Sequence, residues 1–429
     1  MHSETQSSAD KLARFFVPCV VGLAIPVFVA LAWSPDGRWS AAEYSIRDYA
    51  AVIVITEFFT ILVAIREGLL TAIARGNWPR GAVIAAVVLA LLIATTPAFA
   101  PDKPTAVILA VYWLFHGAFA LALTHLSGRV FQPRDLVHAW MAGFAIFVIE
   151  FFLFIHEIPD WQNFDWKWGF MGFPHIRHAG YYLGAMAALS LGAMAVAETR
   201  REWWWSWLSA AFAFGIALWT GSRGAVFAVI GAVAVGMLLF PLFRTIRTWC
   251  GTLASMIAAL IVVWIAPAAP YYLMGLGHAV QQTESADVTT GRTTIWKNVI
   301  GAIRHRPLFG YGDGQMRKVA PFADIVQPHD SILQVTLAWG LAGLACVAVL
   351  AVVFLSRALP AVRREQGPLV PVFTAMTALA ILSLYDGDLY YAFSTSIFLA
   401  CGAVIASQWN VAVVRNTQQP EMLTPAPVR

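Results

Sequence analysis

Residues 81–99 read GAVIAAVVLALLIATTPAF, a run with no ionisable side chain and no alternation of apolar with polar positions. About 20 such residues cross a hydrocarbon core of about 30 Å as a helix, whereas a barrel strand needs only about 10 and alternates. In lipid the backbone must satisfy its own hydrogen bonds, so a helix is the form this run can take. The rest of the chain repeats the pattern. Of its 429 residues, 59% are hydrophobic and 12% are charged, roughly half the charged share of a soluble globular chain. That balance excludes a water-soluble fold.

Apolar runs of this kind lie near 15–33, 47–65, 81–99, 104–123, 136–156, 178–197, 203–219, 224–242, 249–267, 331–355, 368–385 and 389–409. The expectation is an all-α integral membrane protein of about 12 transmembrane helices. The first run follows Lys11 and Arg14 and ends in Ala30-Leu31-Ala32, much as a cleavable signal does. It is read as a retained span, because it exceeds the usual apolar length of about 7 to 15 and because Glu4 and Asp10 dilute its basic flank. With the N-terminus inside, the Lys and Arg residues of the short loops fall mainly on the cytoplasmic side, among them Arg66, Arg80, Arg134, Arg201, Arg247 and Arg363. An even span count returns the tail, with Pro420, Pro425 and Pro427, to the same side, where its composition predicts disorder. The net charge of +4 is small and sits in loops, which argues membrane orientation and not nucleic-acid binding. Cys19, Cys250, Cys346 and Cys401 fall in or beside apolar runs and read as packing residues, with no disulfide framework or zinc site.

The organisation expected is residues 1–267 with nine helices, an extracytoplasmic loop over 268–330, three helices over 331–409 and a cytoplasmic tail over 410–429. The segment 157–177, with Trp161, Phe164, Trp166, Trp168, Phe170 and Phe173, is suited to the headgroup region. The larger loop holds a helical stretch from about Arg292 to His305, then Pro307 and the turn Gly310-Tyr311-Gly312-Asp313-Gly314. A loop this long is uncommon unless it is functional or disordered.

Four helices in this layout start on the outer side, where unpaired N–H groups and positive dipole ends favour anions. They open with His175-Ile176-Arg177-His178, with Thr220-Gly221-Ser222-Arg223-Gly224, with Gln327-Pro328-His329-Asp330-Ser331 and with Asp386-Gly387-Asp388. In the second, glycines admit a ligand to the backbone, Ser222 is placed to cap and Arg223 adds charge, which makes an anion site. Thr289-Thr290-Gly291-Arg292 repeats the construction. A lone Arg here would read as an interfacial anchor; two in the same Gly-Arg setting favour anion binding. His329 at a helix start would be kept neutral and able to accept a proton, while Asp330 either assists it or caps the helix. Asp386 and Asp388 have the Asp-x-Asp spacing of metal-dependent sugar transferases, a spacing common by chance, and no metal or other cofactor is assigned. Glu57, His116 and Glu150 lie within spans and are given no role.

These residues resemble the O-antigen ligase family, membrane enzymes related to O-antigen polymerases and pilin oligosaccharyltransferases. The resemblance is carried by Gly221-Ser222-Arg223-Gly224, by Gly291-Arg292-Thr293-Thr294-Ile295-Trp296 continuing to Arg306-Pro307-Leu308-Phe309-Gly310-Tyr311-Gly312, and by His329 with Gly340 and Gly343 after it. Asp330 departs from the family's usual Asn, Ser or Gln after the His. The motifs cover about 220–350. The resemblance implies a GT-C-like fold in the bacterial inner membrane, with the site facing the periplasm and both termini cytoplasmic. It implies transfer of polysaccharide from undecaprenyl pyrophosphate to a sugar hydroxyl of lipid A-core, metal-independent and with inversion. His329 would be the base, Arg223 and Arg292 would hold the pyrophosphate, and Ser222, Arg177, His178, Asp330, Asp386 and Asp388 could support them. An O-antigen polymerase is the near alternative. A lipid or polysaccharide transporter or flippase is the alternative of another class, disfavoured because no internal repeat is visible and the motifs sit at the outer rim.

Overall fold

The computed structural model describes residues 8–32, 46–76, 78–161, 163–164, 166, 170–173, 175–266, 291–322, 325–364 and 366–409. Among them the secondary structure is helical, with no strand. In chain order the helices are α1 (Ser8–Ala32), α2 (Ile46–Arg66), α3 (Leu69–Arg75), α4 (Arg80–Thr95), α5 (Lys103–Leu126), α6 (Pro133–Glu157), α7 (Ile176–Val196) and α8 (Arg200–Trp219). They continue with α9 (Arg223–Leu239), α10 (Ile246–Ile265), α11 (Arg292–His305), α12 (Met316–Val319), α13 (Ser331–Arg364), α14 (Gln366–Leu382) and α15 (Ala392–Ser407). Seven of the described helices are long and apolar enough to cross a membrane, and α9, α14 and α15 are shorter apolar helices. The protein is a multi-pass membrane protein. Trp168, Thr289, Thr290, the start of the long loop and the tail lie outside the described residues.

Sequence signals set the helix ends. Asp102 caps α5 by accepting from Thr105 N at 3.2 Å, and Thr199 with Glu202 forms a capping box on α8. Pro97 ends the run of α4 in a 3₁₀ turn over Thr96–Phe99. The centre of the bundle is α7, almost wholly buried against α8, α9 and α14. It can sit there because its glycines admit close neighbours: a Cβ at Gly180 would lie 2.3 Å from Ser222 Oγ, and one at Gly192 would lie 2.8 Å from Pro371 Cα.

Three expectations are corrected. The aromatic segment is in part core and not headgroup surface: Trp166, Phe170 and Phe173 are buried, while Trp161 is exposed, and the buried rings are wedged against Phe151, Phe154 and Trp219. Helix α13 runs to Arg364, well beyond 355, and is broken at Gly340 (φ 67°, ψ −169°). Its short N-terminal half, Ser331–Trp339, packs with α11 and the turn after it, forming a small core of Ile295, Val299, Tyr311, Met316 and Leu337. Ser222 occupies the N-cap position of α9 but makes no side-chain cap; its Oγ instead donates to Arg177 O at 3.2 Å, tying α9 to the start of α7.

The break at Gly340 is filled by the turn that follows α11. Tyr311 N and Gly312 N donate to the carbonyls of Leu337 and Ala338, and Leu341 N and Ala342 N donate to those of Pro307 and Leu308, at 2.7–3.1 Å. Backbone groups that the interrupted helix leaves open are thus paired by the turn. Asp313 locks the same turn to the bundle. It accepts from Trp113 Nε1 of α5 at 2.8 Å and from Gln334 Nε2 of α13. Gln315 and Asp102 exchange two further bonds.

Candidate active site

At the end of the bundle where α7, α9, α13 and α15 begin, Asp386 gathers side chains from three other parts of the chain. Its Oδ1 accepts from Tyr181 OH at 3.0 Å, from Gly387 N at 2.8 Å and from His329 Nδ1 at 2.9 Å. Its Oδ2 lies 3.5 Å from Arg292 Nη2. Burial opposes ionisation of Asp386, but the His329 hydrogen bond and charge, Arg292 and the Gly387 N–H outweigh it and hold the carboxyl well below the usual carboxylate range.

His329 sits just ahead of α13 in the left-handed region (φ 54°), a conformation uncommon for a side chain of this size. Gln327 clamps it there, its Oε1 accepting from His329 N at 2.6 Å. Trp296 Nε1 of α11 donates to Pro328 O at 2.9 Å. Gln327 Nε2 also lies 3.0 Å from His329 Nδ1. That amide group can only donate, so the neighbouring acceptor for an Nδ1–H is the Asp386 carboxylate. The tautomer this favours leaves Nε2 as the basic nitrogen, with no hydrogen-bond partner among the described residues.

Arg177, Arg223 and Arg292 lie close enough to act on one another electrostatically, and Arg177 also feels Asp386. Three mutually interacting guanidinium groups, two of them acting on the Asp386 carboxylate, leave this end of the bundle cationic. The remaining expected residues sort differently. Asp330 caps α13, accepting from Leu333 N at 2.8 Å, and takes no part in the His329 contacts. His178 is half-buried, with Nε2 3.1 Å from Tyr391 OH. Asp388 is fully buried; burial, and then the charge of Asp386, raise its carboxyl well above the ordinary range, so it is a neutral acid. With Asp386 engaged by His329 and Arg292 and Asp388 sealed and neutral, the Asp-Gly-Asp pair does not present two carboxylates to one cation. Glu57 and His116 pair inside the bundle at 2.6 Å. Sequence reasoning missed Tyr181 and gave Gln327 no role.

Residues 208–348 match the family model described as O-Antigen ligase. Over that segment the chain is similar to the O-antigen ligase family. The matched segment is less than half of the chain and contains Arg223, Arg292 and His329, whereas Arg177, Tyr181 and Asp386 are brought to it from outside. Comparison with curated proteins gives no match. The matched family is one of glycosyl-transfer enzymes in a broad sense.

Proposed function

We propose that the protein is an O-antigen ligase, moving polysaccharide from undecaprenyl pyrophosphate to a sugar hydroxyl of lipid A-core on the periplasmic face of the inner membrane. The observation that carries this reading is the His329–Asp386 pair set among Arg177, Arg223 and Arg292. Transfer from a glycosyl pyrophosphate needs a base for the acceptor hydroxyl and positive charge for the departing phosphates. His329 Nε2 takes the hydroxyl proton as the acceptor oxygen bonds to the anomeric carbon. The bond from that carbon to the pyrophosphate oxygen breaks, and the arginines receive the added negative charge. Asp386 stabilises the imidazolium formed and fixes its ring, the role a carboxylate plays in a base–carboxylate pair. One displacement inverts the anomeric centre, and the guanidinium groups supply the charge that a divalent ion would otherwise bring.

In this reading all twelve apolar runs cross the membrane, the site end faces the periplasm and both termini are cytoplasmic. The test is to incubate the purified chain with lipid-linked glycan and lipid A-core and to resolve the products. A glycolipid enlarged on the core is expected. Elongated lipid-linked glycan with no core product would replace the ligase reading with the polymerase one.

A further inference from the structure

A large cavity in the described structure lies nowhere near His329. It is a cleft of about 1330 Å³ between α6 on one side and α8 with the starts of α14 and the α7–α8 corner on the other. Its origin is in the packing: α6 is held mainly by α1, whereas α7, α8 and α14 pack on one another, so the two groups splay. They meet again toward the site end, where Phe152 and Phe212 are 6.1 Å apart. On α6 the lining runs from Gln132 to Ile149, roughly 25 Å at 1.5 Å per residue, against a hydrocarbon core of about 30 Å.

The cleft is strongly polarised. Its ionisable lining residues, Arg134, His138, Glu198, Arg201 and Glu202, all sit at the end away from His329, and the wall beyond them is apolar apart from Ser206 and Ser209. Trp204 and Trp205 are exposed at the same level, as residues at a membrane interface are. Arg134 spans the mouth to Glu202 and, at 3.8 Å, to Glu198. Glu198 is largely exposed, and Arg201 is exposed with no acidic partner among the described residues. The mouth therefore offers one accessible cation and one accessible anion over an apolar slot as long as an extended acyl chain.

We infer that this cleft binds a zwitterionic aminophospholipid from the leaflet at that end of the bundle. Its phosphate lies on Arg201, its ammonium on Glu198, and its acyl chains lie between α6 and α8. A slot between helices lined by apolar side chains is the form expected of a lipid site, and a guanidinium–phosphate contact gives it headgroup selectivity. The inference is independent of the reaction assigned to the other end of the molecule.

The test uses the full-length chain, purified in detergent, stripped of lipid and titrated with dioleoyl phosphatidylethanolamine or dioleoyl phosphatidylglycerol, with bound lipid read by native mass spectrometry. Phosphatidylethanolamine is expected to bind at least about 5-fold more tightly than phosphatidylglycerol, and Arg201→Gln to weaken it about 10-fold, the worth of one hydrogen bond to a charged group. Glu198→Gln should bring the two lipids to near-equal affinity. Ala145→Phe, which fills the slot, should remove binding of both. Equal affinity of the wild type for the two lipids, unchanged binding in Arg201→Gln, or a dimer that carries no lipid would each overturn the inference. If Ala145→Phe fails to fold, the two surface substitutions still decide the matter.

Discussion

At the scale of single residues, His329 is held in a left-handed backbone conformation, which costs about 1–3 kcal/mol and persists only where surrounding contacts over-determine it. Here those contacts are Gln327, Trp296 and Asp386. If the ring is the base, His329→Ala should insert and bind donor but transfer about 10² to 10⁴ times more slowly. Donor binding and product formation, measured separately on the purified variant, check this, and turnover above about a tenth of wild type would make the ring structural. The two neighbouring acids give a sharper contrast. Asp386→Asn removes the charge that stabilises an imidazolium and should lose activity by a similar factor. Asp388 is already neutral, so Asp388→Asn should keep transfer near wild type. Linkage fixes the sign of its stability effect: a carboxyl whose folded pKa is raised costs stability as pH climbs above the unfolded value of about 3.9. The Asn variant should therefore unfold at progressively higher temperature than wild type, in detergent, as pH is raised from about 4 to about 7. Arg223, Arg292 and His329 were legible in the sequence because each is announced by its immediate neighbours. Asp386 was seen as part of an outer helix start, half of a chance Asp-x-Asp and a possible support, but not as the partner of His329 and Tyr181, which stand 57 and 205 positions away. Nothing local marks such pairings.

At the scale of elements, the apolar runs located the helices well, because burial in lipid leaves long unbroken stretches that composition alone reveals. The interruption in α13 was invisible for the same reason: Leu337 to Ala342 remains apolar throughout, while the decisive fact is a glycine backbone meeting another segment. Gly340 and Gly310 make that meeting possible. A Cβ at Gly340 would lie 2.2 Å from the carbonyl of Leu308, and one at Gly310 would lie 2.6 Å from that of Ala338. Gly340 also has a φ/ψ pair open essentially to glycine alone. Gly340→Ala should displace the turn that carries Asp313 and, with it, the half-helix behind His329. The expected result is a lowered unfolding temperature together with lost transfer. Gly301, on α11, has open space where a Cβ would go. Gly301→Ala should be neutral or stabilising by up to about 1 kcal/mol through helix propensity. Thermal unfolding of both variants in one detergent separates the specific requirement at Gly340 from a general intolerance of larger residues. The aromatic segment before α7 was misread because composition cannot distinguish rings that lie in headgroups from rings that wedge between helices. Both burials suit Trp and Phe.

At the scale of the whole molecule, the two ends of the bundle differ in kind, and that difference predicts an orientation. The end holding Arg129, Arg134, Arg200, Arg201, Arg244 and Arg247 is made of short turns joining α5 to α6, α7 to α8 and α9 to α10. Positive charge in short loops is what retains a segment on the cytoplasmic side. The opposite end also carries cations, but Arg177, Arg223 and Arg292 there cluster together, with Arg177 and Arg292 acting on Asp386. Others, such as Arg304 and Lys318, lie in the long connection between α10 and α13, whose charges weigh little in topology. The expected arrangement therefore has α11 outside and the α5–α6 turn inside. Single cysteines at Lys297, exposed on α11, and at Arg129, exposed in the α5–α6 turn, test it in a Cys250→Ser background that removes the exposed native thiol. A membrane-impermeant maleimide applied to intact spheroplasts should label Lys297→Cys and leave Arg129→Cys unlabelled until the membrane is opened. The reverse pattern would place His329 and the arginines on the cytoplasmic side. A reaction between two lipid-anchored glycans assembled for export could not take place there, so the same result would remove the ligase reading along with the topology.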